Sequence, residues 1–297
     1  MRLAAIDIGS NAVRLLIEEI FEANNDYHIH KVSLTRVPLR LGEDVFETGK
    51  IGKEKAEQLV NTMKAFWFLM LVHDVRHFRT CATSAMREAT NVEAVRKQVK
   101  KDANIDIELI TGKEEADLIF GNFGVSGLSQ TKNYLYIDVG GGSTELTIIR
   151  KGARIRSISF PIGTVRMLKT KVPDSSWNRV EKWLKEFAIN EPGLIGIGTG
   201  GNINRIHKEC GKKTGQSLSL TEIRDYRQYV ASFDMESRIV KLKLKPDRAD
   251  VIIPAADIYL KVMEAAQVKE IQVPKVGLSD GIVLDLYKQW RNGELGD

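Results

Sequence analysis

Ile6-Asp7-Ile8-Gly9-Ser10-Asn11 decides the reading of this chain, because it is written a second time as Ile137-Asp138-Val139-Gly140-Gly141-Gly142-Ser143. In each copy an apolar strand runs into an Asp and then into a tight turn of Gly and small polar residues. A second apolar run follows each turn, Val13-Arg14-Leu15-Leu16-Ile17 in one copy and Leu146-Thr147-Ile148-Ile149 in the other. Strand, carboxylate, Gly-rich turn and returning strand together aim backbone N–H groups at a phosphate and keep a metal-binding carboxylate beside them. About one domain length of chain separates the copies. The pattern therefore predicts two related phosphate-binding hairpins, one per domain, facing each other across a cleft.

Composition sets outer bounds. At 297 residues the chain is long enough for two cores, and 43% hydrophobic with 28% charged residues is ordinary for a soluble globular protein. The net charge of +5 mildly favours anionic ligands. Lys97 to Lys101 and Lys241 to Lys245 are locally basic, but neither is long enough for a nucleic-acid arm, so no nucleic-acid partner is expected. Cys81 and Cys210 lie far apart with no CxxC, which argues against a disulfide framework or structural zinc and fits a reducing cytoplasm. The N-terminus enters a strand at once, leaving no room for a signal peptide. The apolar stretch Ala65 to Val72 is too short to span a bilayer, so no membrane partner is expected.

Periodicity predicts a hairpin over 3–8 and 13–20 with a third strand at His28 to Val37. Leu59, Met63, Phe66, Trp67 and Met70 recur at helical spacing between Ile51 and His73 and read as core. Next come a strand from Arg79 to Thr83, a helix from Ser84, a charged helix from Val92 to Lys101 and a strand from Ile105 to Ile110. Thr111 and Glu114 are spaced as a capping box. Gly124-Val125-Ser126-Gly127 suits a hinge. Beyond it, a hairpin over Tyr134 to Ile149 and a strand from Ala153 to Phe160 repeat the opening pattern. Asp174 is placed as the cap of a helix through Phe187. A strand from Leu194 to Gly198 ends in Gly198-Thr199-Gly200-Gly201, and a helix runs to Cys210. The remainder reads as helical, with a strand from Ile271 to Val273 and a closing helix from Asp280 to Trp290.

The two Asp-Gly hairpins and the Gly198 to Gly201 turn resemble the phosphate and adenosine motifs of the actin, hexokinase and Hsp70 superfamily. Within it, five ordered stretches resemble the exopolyphosphatase and guanosine pentaphosphate phosphohydrolase family. They are Asp7 to Asn11, Ala82-Thr83-Ser84-Ala85-Met86-Arg87-Glu88-Ala89, Gly112-Lys113-Glu114-Glu115-Ala116, Asp138 to Glu145, and Arg248-Ala249-Asp250. The resemblance implies an α/β chain of two ribonuclease H-like (actin-like ATPase) domains with an interdomain cleft. It places residues 1–124 with 283–297 in one domain and 125–282 in the other, without the C-terminal helical domains of longer members. Three departures stand out: Ala12 where a hydroxyl residue is usual, Asn202 where Thr is common, and Ser279-Asp280 in place of an Arg-Glu pair.

The expected chemistry is hydrolysis of a terminal phosphoanhydride, which needs neutralised phosphoryl oxygens, an oriented water and a proton acceptor. Gly9, Ser10, Asn11, Gly140, Gly141, Gly142 and Ser143 supply phosphate-binding turns, against the alternative of plain structural turns. Asp7, Asp138 and Glu145 suit Mg2+ or another divalent cation, Asp7 being the weakest ligand. Glu145 on the returning strand can share one face with Asp138. Glu115 matches the family's catalytic glutamate, and Arg87 its phosphate-contacting arginine. Glu114 points about 100° away from Glu115 and is explained by capping. Gly198, Thr199, Gly200 and Gly201 border a nucleotide or polyphosphate track, or form a plain strand-to-helix turn. Arg248 and Asp250 read as an ion pair. The implied substrate is inorganic polyphosphate or guanosine pentaphosphate, and a homodimer is allowed. The alternatives are an ATP-dependent actin-like kinase or ATPase, and a non-catalytic sensor of alarmone nucleotides.

Overall fold

The computed structural model describes residues 1–23, 26–122 and 128–295. The chain divides into two compact units, Met1–Asn122 with Val276–Asp297, and Phe123–Lys275. The return to the first unit falls at Val276, ahead of the closing helix. The hinge expected at Gly124 to Gly127 lies outside the described residues.

The first unit opens with β1 (Arg2–Ile8), β2 (Val13–Ala23) and β3 (Asp26–Val37), followed by α1 (Leu41–Thr48) and α2 (Lys53–Val72). Then come β4 (His77–Ala82), α3 (Ser84–Glu88), α4 (Val92–Ala103), β5 (Glu108–Leu109) and α5 (Gly112–Gly121), and finally α13 (Leu278–Arg291). The sheet order is β3-β2-β1-β4-β5. β1 pairs antiparallel with β2 and parallel with β4. From Leu3 to Ile8 every residue of β1 is buried, as a central strand covered on both faces requires, whereas β3 alternates exposed and half-buried residues at the edge.

The second unit repeats this plan. It contains β6 (Asn133–Val139), β7 (Thr144–Arg150), β8 (Ala153–Phe160), α6 (Thr164–Lys169), α7 (Asp174–Phe187), β9 (Ile195–Thr199) and α8 (Gly201–Glu209). β10 (Leu218–Ser219), α9 (Leu220–Ala231), α10 (Met235–Val240), α11 (Pro246–Ala249), α12 (Ile252–Ala265) and β11 (Glu270–Gln272) complete it. Its order is β10-β11-β9-β6-β7-β8, so three antiparallel strands again lie beside a parallel continuation. The core packs Leu135, Ile137, Leu146 and Ile148 of the sheet against Leu184 of α7 and Ile258, Tyr259 and Met263 of α12.

Several local expectations are corrected. Helix α1 was not expected; it begins after Arg40 in a left-handed conformation (φ 53°) with no side-chain cap. Of the strand expected over Ile105 to Ile110 only Glu108–Leu109 forms, the preceding Ile105 and Ile107 being buried outside it. Asp174 is the first residue of α7 and not its cap, a position held by Pro173. Among the described residues no helix is long and apolar enough to cross a membrane.

Helix α13 lies close against α5. A Cβ at Gly281 would come within 2.1 Å of the Leu118 carbonyl oxygen, so only glycine permits this approach. The departure at Asp280 has a local role: its carboxylate accepts from the Gly277 N–H at 2.8 Å and pairs with Lys31 at 2.9 Å. Glu18 of β2 is buried nearby, and burial, with the Asp280 charge adding to it, pushes its carboxyl up to about 7 despite Lys31. Between the unfolded value of 4.5 and about 7 the folded chain holds a proton that the unfolded chain has lost. Stability from Glu18 is thus full below 4.5 and lost as pH rises through 7, a span of about 3 kcal/mol. Glu18→Gln should therefore stabilise the protein at pH 8 and leave it nearly unchanged at pH 5, as chemical denaturation at the two pH values would read.

Candidate active site

The first half-site sits at the carboxyl ends of the parallel neighbours β1 and β4, where α/β sheets hold ligands. The Gly9 N–H closes the hairpin turn on the Ala12 carbonyl at 3.1 Å. The loop is then tied from behind by the start of α1: the Arg40 N–H donates to the Asn11 carbonyl at 3.0 Å, and the Gly42 N–H to the Ser10 carbonyl at 2.8 Å. Gly42 has to be small, since a Cβ there would meet the Phe46 ring at 2.7 Å and Ser10 Cβ at 2.9 Å.

Asp7 is buried, and opposite it in the β1–β2 register stands Arg14, whose guanidinium donates to the carboxylate at 2.6 Å. As a metal ligand Asp7 would have to share its carboxylate with that cation. Arg14 is thereby held beside the loop. The Thr83 N–H donates to the Ile8 carbonyl at 3.1 Å, which brings the start of α3 next to the same turn. Arg87 of α3 donates to the Ile110 carbonyl at 2.6 Å and to Ser84 Oγ at 3.4 Å, and its Nη1 lies 3.7 Å from Glu115 Oε2.

Glu115 is buried, unlike the solvent-facing glutamate that a helix surface ordinarily carries. The capping box assigns the neighbouring carboxylates separate tasks. Glu114 accepts from the Thr111 N–H at 2.7 Å and from its hydroxyl at 2.8 Å, which holds its carboxyl below the usual range. Glu115 is left to face inward beside Arg87.

In the second half-site the Gly140 N–H closes the turn on the Ser143 carbonyl at 2.9 Å. Here the bracing is denser. The Thr164 N–H donates to the Gly140 carbonyl at 3.0 Å, those of Val165 and Arg166 to the Gly141 carbonyl at 2.8 and 3.0 Å, and Arg166 Nε to the Gly142 carbonyl at 2.8 Å. Every loop carbonyl from Gly140 to Gly142 is therefore spoken for. The Gly141 and Gly142 amides hold no acceptor among the described residues, and donors of that kind call for an acceptor such as a phosphate oxygen. Gly163 makes the bracing feasible: a Cβ there would lie 2.4 Å from the Gly142 carbonyl carbon and 2.5 Å from that of Gly141.

Asp138 and Glu145 are direct cross-strand partners, and their carboxylate oxygens lie within 4.8 Å of one another. Ser159 donates to Glu145 at 2.7 Å and fixes its direction. Two carboxylates on neighbouring strands beside unsatisfied turn amides suit a hard divalent cation bridging to phosphate oxygens. The same register position holds Arg14 in the first half-site and Glu145 in the second, so the repeat is symmetric in backbone and opposite in charge.

The Gly198 to Gly201 stretch divides in two. Gly198 is packed against Ile271, and Thr199 is wholly buried, with its hydroxyl accepting from Tyr136 and its carbonyl from the Tyr259 hydroxyl at 2.6 Å. Gly200 and Gly201 form the turn into α8. Gly200 adopts φ +101°, and a Cβ there would stand 3.3 Å from Asp138 Oδ1. Arg248 donates to the Gly201 carbonyl.

Sequence reasoning missed Arg40, Gly42, Ser159, Gly163 and Tyr259, which position the loops and carboxylates without belonging to the motifs. The signal that could have found Gly42 and Gly163 is the repeat itself: each follows the third strand of its copy, where a helix start meets the loop.

The model of the Ppx/GppA phosphatase family matches residues 20–290. Exopolyphosphatase 1 of Mycobacterium tuberculosis is 26% identical over 96% of this chain and 88% of its own length. The crystal structure of the Aquifex aeolicus Ppx/GppA family member superposes with a TM-score of 0.77 at 26% identity, covering 98% of each chain. That of an exopolyphosphatase from Cytophaga hutchinsonii, 24% identical, shares the fold with a TM-score of 0.82 over 99% of this chain and 98% of that one. These matches agree with the two mixed α/β sheets and their duplicated hairpins: the chain belongs to the Ppx/GppA phosphatase family.

Proposed function

We propose that this chain is a divalent-cation-dependent phosphohydrolase that removes the terminal phosphate of inorganic polyphosphate by attack of water. The observation that carries it is the Gly140 to Gly142 loop, whose carbonyls are tied to α6 and Arg166 while the Gly141 and Gly142 amides await an acceptor beside Asp138 and Glu145. The naming of the Mycobacterium relative as an exopolyphosphatase supports the choice of substrate.

In this reading Gly9, Ser10 and Asn11 and the Gly140 to Ser143 loop bind phosphoryl oxygens through turn amides. Arg87 and Arg14 add guanidinium donors whose planar forks match paired phosphate oxygens. Asp138 and Glu145 hold the cation, with Asp7 acting through Arg14. A bound Mg2+ would neutralise charge on the phosphoryl oxygens and the leaving chain. Glu115 accepts the proton of the attacking water, and the Arg87 guanidinium keeps its carboxylate oriented. The oxygen of water joins the terminal phosphorus, the bridging P–O bond breaks, and the shortened chain leaves with the electron pair.

Phosphate release from polyphosphate and from guanosine pentaphosphate, measured side by side with Mg2+ and with a chelator, tests this reading. Release from polyphosphate that the chelator abolishes is expected. Faster release from guanosine pentaphosphate would shift the substrate to the nucleotide. Tight nucleotide binding with no release from either would favour a sensor and overturn the hydrolase.

A further inference from the structure

The hydroxyl of Tyr259 reaches the ends of the two strands that carry the second half-site. Tyr259 belongs to α12 and is wholly buried, its ring packed in the core of the second unit. β6 and β9 run parallel, with Ile137 beside Gly198 and Asp138 beside Thr199. At the last of these rungs the Tyr259 hydroxyl donates to the Thr199 carbonyl at 2.6 Å, and the Ile137 carbonyl oxygen lies 3.4 Å from it. The Val139 N–H bonds to the same hydroxyl. The peptide groups before and after Asp138 are thus both held at one buried oxygen, which fixes the backbone that aims the carboxylate.

The Thr199 carbonyl belongs to the peptide leading into Gly200. A Cβ at that glycine would stand 3.3 Å from Asp138 Oδ1 and 3.2 Å from the Val139 carbonyl oxygen. Tyr136 secures Thr199 a second time, its hydroxyl donating to Thr199 Oγ1 at 2.8 Å. Two tyrosine hydroxyls therefore dock the turn that borders the Asp138 carboxylate. Phe would fill the space of the Tyr259 ring equally well. What Tyr adds is a polar atom in an apolar core, costly unless bonded, and its bonds go to the backbone around Asp138.

We propose that Tyr259 is a positioning residue for the divalent cation: by joining both peptide groups of Asp138 to the Gly200 turn, its hydroxyl sets the direction in which that carboxylate meets the ion. The inference rests on Asp138 and Glu145 as the ligands of the cation, and it adds a residue that touches neither ion nor substrate. Removing an outer partner of this kind costs metal affinity about 10–100-fold.

Mn2+ titration of the full chain without substrate, read from the electron paramagnetic resonance of the free ion, tests it. Tyr259→Phe should bind Mn2+ about tenfold more weakly than the wild type. Tyr287→Phe is the matched control: it removes a similarly buried hydroxyl, bonded to Glu22 in the other unit, and should keep wild-type affinity. Tyr136→Phe frees only the Thr199 hydroxyl and should weaken binding about threefold. It decides the outcome should Tyr259→Phe fail to fold. Wild-type Mn2+ affinity in folded Tyr259→Phe, or an equal loss in Tyr287→Phe, would overturn the proposal and leave the hydrolase reading standing. A wild type that binds no Mn2+ would overturn the cation reading and this proposal together.

Discussion

Glu115→Gln should lower the turnover of polyphosphate hydrolysis by about 10²–10⁴-fold, with a KM changed far less. The substitution keeps the shape of the side chain and removes its ability to take a proton. Glu115 is buried, sits 3.7 Å from the Arg87 guanidinium and has no capping duty, because Glu114 performs it. The amide loses the Arg87 charge interaction as well, but Arg87 is also anchored on the Ile110 carbonyl and Ser84, so its position should survive. Glu114→Gln makes the matched control, affecting the helix start and not turnover. Full activity in Glu115→Gln would move the base elsewhere.

The second large effect belongs to Gly163→Ala. A single added methyl would lie 2.4–2.5 Å from backbone atoms of Gly141 and Gly142, where no flexible side chain can give way. Either the loop moves off α6 or α6 moves off the loop. Both outcomes break the donation from Val165 and Arg166 that ties the loop carbonyls to α6. Overpacking of this kind costs about 1–3 kcal/mol, and misplacing the phosphate-binding amides should lower kcat/KM about 10²-fold. Gly121→Ala, at a helical glycine with open space around its Cβ, is the control and should leave both unchanged. Wild-type activity in Gly163→Ala would mean that the loop does not bind the reacting phosphate.

The hairpins were legible because everything that specifies them is local: continuous apolar runs, an Asp, and small residues at the turn. β8 runs from Ala153 to Phe160 as the alternation predicts, and the Thr111–Glu114 capping box forms as its spacing requires. Helix α1 was not legible. It is one short stretch starting from a left-handed Arg40 without a side-chain cap, and what holds it is a backbone bond to Ser10, some thirty positions away in the chain. Ile105 to Ile110 shows the opposite failure, since Ile105 and Ile107 are buried there by packing and only Glu108–Leu109 form a strand.

The motif residues of the candidate site could be read from the chain, and so could the place of Glu145 beside Asp138 on the returning strand. The pairing of Asp7 with Arg14 could not, because only the cross-strand register shows Arg14 facing that carboxylate. Likewise Gly198 to Gly201 reads as one motif, while packing on Ile271 and the hydroxyls of Tyr136 and Tyr259 assign its first half to the core.

The most direct test is hydrolysis of polyphosphate in water enriched in oxygen-18, with Mg2+ present and the released orthophosphate analysed by mass spectrometry after a single turnover. Attack of water on the terminal phosphorus predicts one labelled oxygen in each orthophosphate and none in the remaining chain. Label retained in the shortened chain, or phosphate appearing only when an acceptor alcohol or carboxylate is supplied, would contradict it.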